Sequence, residues 1–147
     1  MPSRMCKGEK NMRYMCLGYY DEKKFEAMTD AERDAFMDAC FAYDDVLRAK
    51  GHFLSGEGLE STKTASAVRV KNGKPFVTDG PFIETKEQLG GVVILEAKDL
   101  DEAIQLISNH PGISAAGFEI RPIADMSAAL QASEKRRRAH SQSVKGR

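Results

Sequence analysis

Two helix-forming segments must serve at least four strand-forming ones, and that imbalance constrains this chain more than any other feature. Arg13 to Tyr20 is rich in aromatic and apolar residues and reads as a central strand, with Gly18 marking a bulge or a close backbone approach. Asp21 to Met28 reads as a polar loop or short turn. Thr29-Asp30-Ala31-Glu32 is a capping box, in which the Thr hydroxyl and the Glu carboxylate each satisfy a free backbone N–H. Phe36, Cys40, Tyr43 and Leu47 follow on one helical face, widened by Phe41 and Val46, and Lys50-Gly51 ends the helix.

His52 to Leu59 reads as a strand interrupted by Gly56 and Gly58, and Ser61 to Thr64 as a polar connection. Ala65 to Val70 is a strand, joined through Asn72-Gly73 to Lys74-Pro75-Phe76-Val77 as a hairpin. Gly91 to Ala97 is a buried strand. Asp99 and Glu102 have helix-start spacing, with Leu100, Ala103, Ile104 and Ile107 inward and His110-Pro111-Gly112 as the stop. Phe118 to Ile123 is the last strand. This order predicts an α+β fold: a ferredoxin-like sheet with two helices on one face plus an inserted hairpin. Two helices leave the other face bare. Met15, Val93 and Leu95 are the residues expected on it, and a second copy of the chain is the economical cover.

The segment Asp79-Gly80-Pro81-Phe82-Ile83-Glu84-Thr85-Lys86-Glu87-Gln88-Leu89-Gly90-Gly91 stands out chemically. Asp-Gly-Pro makes a turn. Three carboxylates (Asp79, Glu84, Glu87) then crowd beside the apolar run Val92 to Leu95. Unpaired buried carboxylates are costly, so these are either solvated on a loop or line a cavity.

The same segment resembles the signature of the DGPF branch of the YCII-related family. The likeness extends from Met12-Arg13-Tyr14-Met15 through Gly56-Glu57-Gly58-Leu59 and Val68-Arg69-Val70 to Glu119-Ile120-Arg121-Pro122-Ile123. It implies a dimeric α+β barrel whose two sheets enclose a cavity, and it implies company with transcription sigma factors. Some relatives resemble enzymes with a His–Asp pair, the His lying between first strand and first helix. No His lies between Met12 and Gly51 here, so that mechanism is not carried over.

A chain of 147 residues is long enough for one domain with a real core. The formal charge is zero, but Ser127 to Arg147 carries +5 and the preceding 126 residues −5. A mildly acidic body argues against a nucleic-acid-binding surface outside the tail. The expected organisation is a flexible extension over 1–11, a domain over 12–124, and a basic tail over 125–147, partly helical or disordered. The tail reads as a solubilising segment, or alternatively as a weak docking arm for nucleic acid or an acidic partner.

Cys6, Cys16 and Cys40 have neither disulfide nor zinc spacing, and the last two sit in apolar patterns as small core residues. The three histidines show no facing carboxylate pattern, so no metal is expected, and no cofactor motif is present. With no secretory signal and no apolar run long enough to span a membrane, a cytoplasmic location is expected.

The candidate catalytic residues are Asp79 as acid/base and Glu84 as its partner. Carboxylates lining a sheet cavity can be raised toward neutral pKa and move protons. Arg69 is the candidate anion clamp, with Glu57, Glu87, His52 and Tyr14 as further binding residues. Each has a plainer reading. Asp79 can accept backbone N–H groups in its own turn. Glu84 and Glu87 can pair with Arg69, Arg121 or Lys86, Glu57 can be a surface carboxylate, His52 can pack at the helix end, and Tyr14 can be core. Two functions follow: a homodimer that binds a small organic molecule, with isomerase- or lyase-like proton transfer, or a non-catalytic ligand-sensing or protein-docking module linked to transcriptional regulation.

Overall fold

The computed structural model describes residues 10–146. The expected flexible extension therefore lies outside the described residues except for Lys10 and Asn11, as does Cys6. Strand β1 (Met12–Tyr20) leads through a short helix α1 (Glu22–Ala27) into the long helix α2 (Asp30–Ala49). Then come β2 (Phe53–Gly58), a 3-10 turn, β3 (Ser66–Lys71), β4 (Lys74–Asp79), β5 (Gln88–Ala97), α3 (Leu100–Ser108), a second 3-10 turn, β6 (Gly117–Pro122) and α4 (Ser127–Lys145).

The main sheet has the order β2-β5-β1-β6 and is antiparallel throughout. Strands β3 and β4 form a separate two-stranded ribbon between β2 and β5. Cys16, Val93 and Leu95 from the sheet share one core with Leu47 of α2 and Ile107 of α3, so both helices cover the same face. The architecture is the ferredoxin-like α+β arrangement with a hairpin inserted between its second and third strands.

The local signals act as their chemistry dictates. Thr29 Oγ1 accepts from the Glu32 N–H at 3.2 Å while Glu32 Oε2 accepts from the Thr29 N–H at 2.8 Å. Asn72 and Gly73 adopt φ of 53° and 74°, the left-handed pair that a two-residue hairpin turn requires. Asp21 caps α1 by accepting from the Lys23 and Lys24 N–H groups, which turns the expected loop into a helix.

The register of β5 corrects one expectation. Val93 and Leu95 pair with Cys16 and Tyr14 and point to the helices, buried to 8% and 0% exposure. The bare face instead carries Met15, Leu17 and Tyr19 from β1 and their neighbours Val92 and Ile94 from β5, all half-buried. Side chains alternate along a strand, so an apolar run alone does not say which residues face which way. Strand β5 also begins earlier than the glycine pair. The register shift at Gly18/Tyr19 skips Gly90, where a Cβ would lie 2.5 Å from the Tyr20 ring. Here glycine admits a ring and does not end the strand.

Two helix faces are narrower than expected. Phe41 and Val46 of α2 are exposed, as are Leu100 and Ile104 of α3, where Ala103, Leu106 and Ile107 pack inward instead. Helix α4 extends through the whole basic stretch to Lys145. Ala, Gln, Lys and Arg are strong helix formers, and Glu134 pairs with Arg138 one turn on. Among the described residues no helix is long and apolar enough to cross a membrane.

Candidate functional site

The acidic segment leaves the ribbon at Asp79, turns at Gly80 (φ 99°) and returns to the main sheet at Gln88. The Gly80 N–H donates to Ala65 O at 2.7 Å, closing the base of the ribbon. Arg69 on β3 pins the segment. Its guanidinium lies 3.7 Å from the Phe82 ring centroid and donates to Phe82 O at 2.8 Å. That stacking and bonding commits much of the group expected to clamp an anion.

Asp79, Glu84 and Glu87 are all exposed, and among the described residues none makes an ion pair or a side-chain hydrogen bond. The segment instead braces itself. Thr85 Oγ1 donates to Glu87 O at 2.5 Å, and Gln88 Nε2 donates to Thr85 O at 2.5 Å. Tyr19 on the bare sheet face then lines, with Thr85, Lys86 and Glu87, an open hollow of about 420 Å³. Of the three carboxylates, Glu87 is the one brought to that hollow.

The remaining candidates divide between the two sides of the sheet. Glu57 is opposite Val92 on β5, so it edges the bare face and is exposed. Tyr14 faces the helices at 2% exposure, in a cluster with Ala97 and Ala103, and its hydroxyl reaches the Met12 sulfur at 3.6 Å. It is a core residue, because the even-numbered positions of β1 face inward. His52 is half-buried at the root of β2. Its Nδ1 donates to Glu96 O at 2.8 Å, which turns Nε2 toward Glu102 of α3 at 3.8 Å.

Two of the three histidines thus do face carboxylates. His110, at 5% exposure, holds Asp44 Oδ1 at 3.0 Å through Nε2, while its Nδ1 accepts from the Gly112 N–H at 2.9 Å. Those partners assign the proton to Nε2. Tyr43 and Phe118 meet the ring edge-on at 5.5 and 5.3 Å. With both nitrogens engaged and the ring enclosed, the pair bolts α2 to the turn before β6 and offers nothing to a substrate. Its sequence signal was a charge, Asp44, on the apolar stripe between Cys40 and Leu47.

Glu22 has no such signal and is the most densely bonded carboxylate in the structure. Though buried, its carboxyl accepts from the Thr62 N–H (2.6 Å), the Thr62 hydroxyl (2.9 Å), the Tyr20 hydroxyl (3.2 Å) and the Ser61 hydroxyl (3.4 Å). The Thr62 backbone bond, ahead of the hydroxyls, holds this carboxyl below its ordinary pKa against the opposing effect of burial. Burial and the neighbouring Glu22 charge push the Tyr20 phenol up to about 12. Glu22 therefore fixes the connection that leads into the ribbon. Cys16 and Cys40 are buried free thiols, and burial raises Cys16 to about 12, which makes it inert. Among the described residues no group of three or more His, Cys, Asp or Glu is gathered closely enough to hold a metal ion.

A bare antiparallel face flanked by an acid-rich returning segment, on a ferredoxin-like frame, is the class of arrangement found. The comparisons agree with it: residues 12–127 match the YCII-related domain, and the chain belongs to that family. An uncharacterized protein of Rhizobium meliloti (strain 1021) is 32% identical over 115 residues, covering 77% of this chain and 93% of that protein.

Proposed function

We propose that two copies of this chain pair over their bare sheet faces and bind a small organic molecule between them. The carrying observation is the half-buried apolar patch of Met15, Leu17, Tyr19, Val92 and Ile94 opposite the helices. A sheet face of this size and apolarity needs a cover, and the described residues supply none. The resemblance of Asp79-Gly80-Pro81-Phe82 to the DGPF signature supports a dimeric α+β barrel of that branch, in a cytoplasmic setting.

In this reading Glu57 and Glu87 edge the ligand site, with Tyr19 beneath it. Asp79 is the acid/base and Glu84 its partner in a proton transfer of the isomerase or lyase type. Both face solvent in the single chain, so they become catalytic only where the second copy encloses them. His52 and Tyr14 act from the helix side as supports. The same exposure, together with the commitment of Arg69 to Phe82, favours a second reading. There the dimer senses a ligand, or docks a regulatory protein, without turning anything over.

A thermal-shift screen of a metabolite library tests the proposal. The expected result is a small organic compound that raises the melting temperature of the native protein and fails to do so in Tyr19→Ala. Asp79→Asn then separates the readings: retained binding with lost conversion of the hit assigns catalysis, and binding without conversion in either protein assigns sensing. A folded dimer that no compound stabilises would contradict catalysis and ligand sensing alike and leave the docking of a regulatory protein as the reading.

A further inference from the structure

Helix α4 buries none of its described residues against the ferredoxin-like body. All of its described residues are exposed except Ser133, and it starts where the match to the family ends, at residue 127. Lys135, Arg136, Arg137 and Arg138 stand at four successive positions. Successive residues are about 100° apart on a helix, so these four cations encircle it in one turn. Only Arg138 is ion-paired among the described residues, to Glu134 on the same helix. Leu130 and Val144 are isolated and exposed, and no apolar stripe joins them. A helix seeking a protein groove or a membrane surface concentrates its apolar residues on one side and its charges on the other. A collar of charge on every side suits a site with anions on both flanks.

We infer that α4 is a docking arm for the major groove of duplex DNA, contacting phosphates of both strands without reading sequence. That groove is about 12 Å wide, a helix with its side chains is about 10–12 Å across, and phosphates line both walls. The four-cation collar meets one wall with one pair of side chains and the opposite wall with the other. Apart from Glu134, whose charge is taken up by Arg138, several residues nearby are small (Ala132, Ser133, Ala139, Ser141, Ser143), which lets the backbone enter. The deep, narrow major groove of duplex RNA excludes a helix, so RNA is the weaker partner. An isolated helix of this length with adjacent like charges is marginal, and neutralising phosphates favour it. The inference is independent of the dimer and its ligand site.

The test uses the full chain with a fluorescent random-sequence 20-base-pair DNA duplex, read by anisotropy from 50 to 200 mM salt. Four phosphate contacts give a log–log salt slope of about −3.6, so affinity falls on the order of a hundredfold across that range. The variant carrying Lys135→Gln, Arg136→Gln, Arg137→Gln and Arg138→Gln is expected to lose at least tenfold in affinity at the low-salt end. Its melting temperature stays unchanged, because the four side chains are exposed and bury nothing. Circular dichroism at 222 nm is expected to deepen when DNA is added to the native chain. Equal binding by the variant would overturn the inference. So would duplex RNA or polyglutamate of matched charge binding as tightly as the DNA.

Discussion

Glu22 shows how one carboxylate can organise a loop. It takes hydrogen bonds from Tyr20, Ser61 and Thr62, so the first strand, the first helix and the root of the ribbon meet on two oxygens. A depressed native pKa means the carboxylate stabilises the fold above its ordinary value of 4.5 and ceases to as pH falls through the lower native value. Glu22→Gln is therefore expected to cost about 1.5–3 kcal/mol at pH 7, the range for bonds to a charged acceptor. The gap from the native protein should narrow as the pH is lowered below 4.5, read by urea unfolding across a pH series. A gap that stays constant down to pH 3 would show that the charge on Glu22 does not stabilise the fold.

His110 and Asp44 make the matching point for the other end of the molecule. His110→Ala leaves the Asp44 carboxylate, 16% exposed, and the Gly112 N–H without their partner. A loss of about 1.5–3 kcal/mol is expected, as for a hydrogen bond to a charged acceptor, measurable by the same unfolding experiment. A near-neutral His110→Ala would mean that the pair does not join α2 to the final turn.

At the level of elements, strands and helices with local signals were legible: the capping box at Thr29, the Asn72-Gly73 turn, the Asp99 cap and the stripe Phe36, Cys40, Tyr43 and Leu47 all act where their chemistry put them. What was not legible depended on partners far along the chain. Residues 66 positions apart make the His110–Asp44 pair, and Glu22 meets a residue 40 positions on. The inward direction of Val93 and Leu95 follows from pairing with β1, which their own apolar run does not encode. The acidic segment was legible as a turn-led, charged stretch, yet its exposure depends on how it returns to the sheet.

The β3–β4 ribbon is the element that most needs a neighbour. Val68 lies opposite Val77, and Val70 opposite Pro75, on one side of it, and the three valines are 63%, 60% and 75% exposed in that order of Val68, Val77 and Val70. A two-stranded ribbon alone is marginal in water. If the second copy covers it, Val77→Asp should raise the dimer dissociation constant at least tenfold, about 1.4 kcal/mol, while the circular dichroism spectrum stays unchanged. An unaltered dissociation constant would place the ribbon outside the interface.

For the molecule as a whole, two helices on one face and an apolar patch on the other make the single chain a half-finished layer. In the proposed dimer, pairing across Met15, Leu17, Tyr19, Val92 and Ile94 would complete it and turn the acid-rich segment from a solvated loop into the wall of a site. Sedimentation equilibrium of the purified chain at micromolar concentration tests this most directly. The account predicts a species at twice the 16.3 kDa chain mass, converted to single chains by Leu17→Asp. A stably folded 16.3 kDa species at every concentration would contradict it.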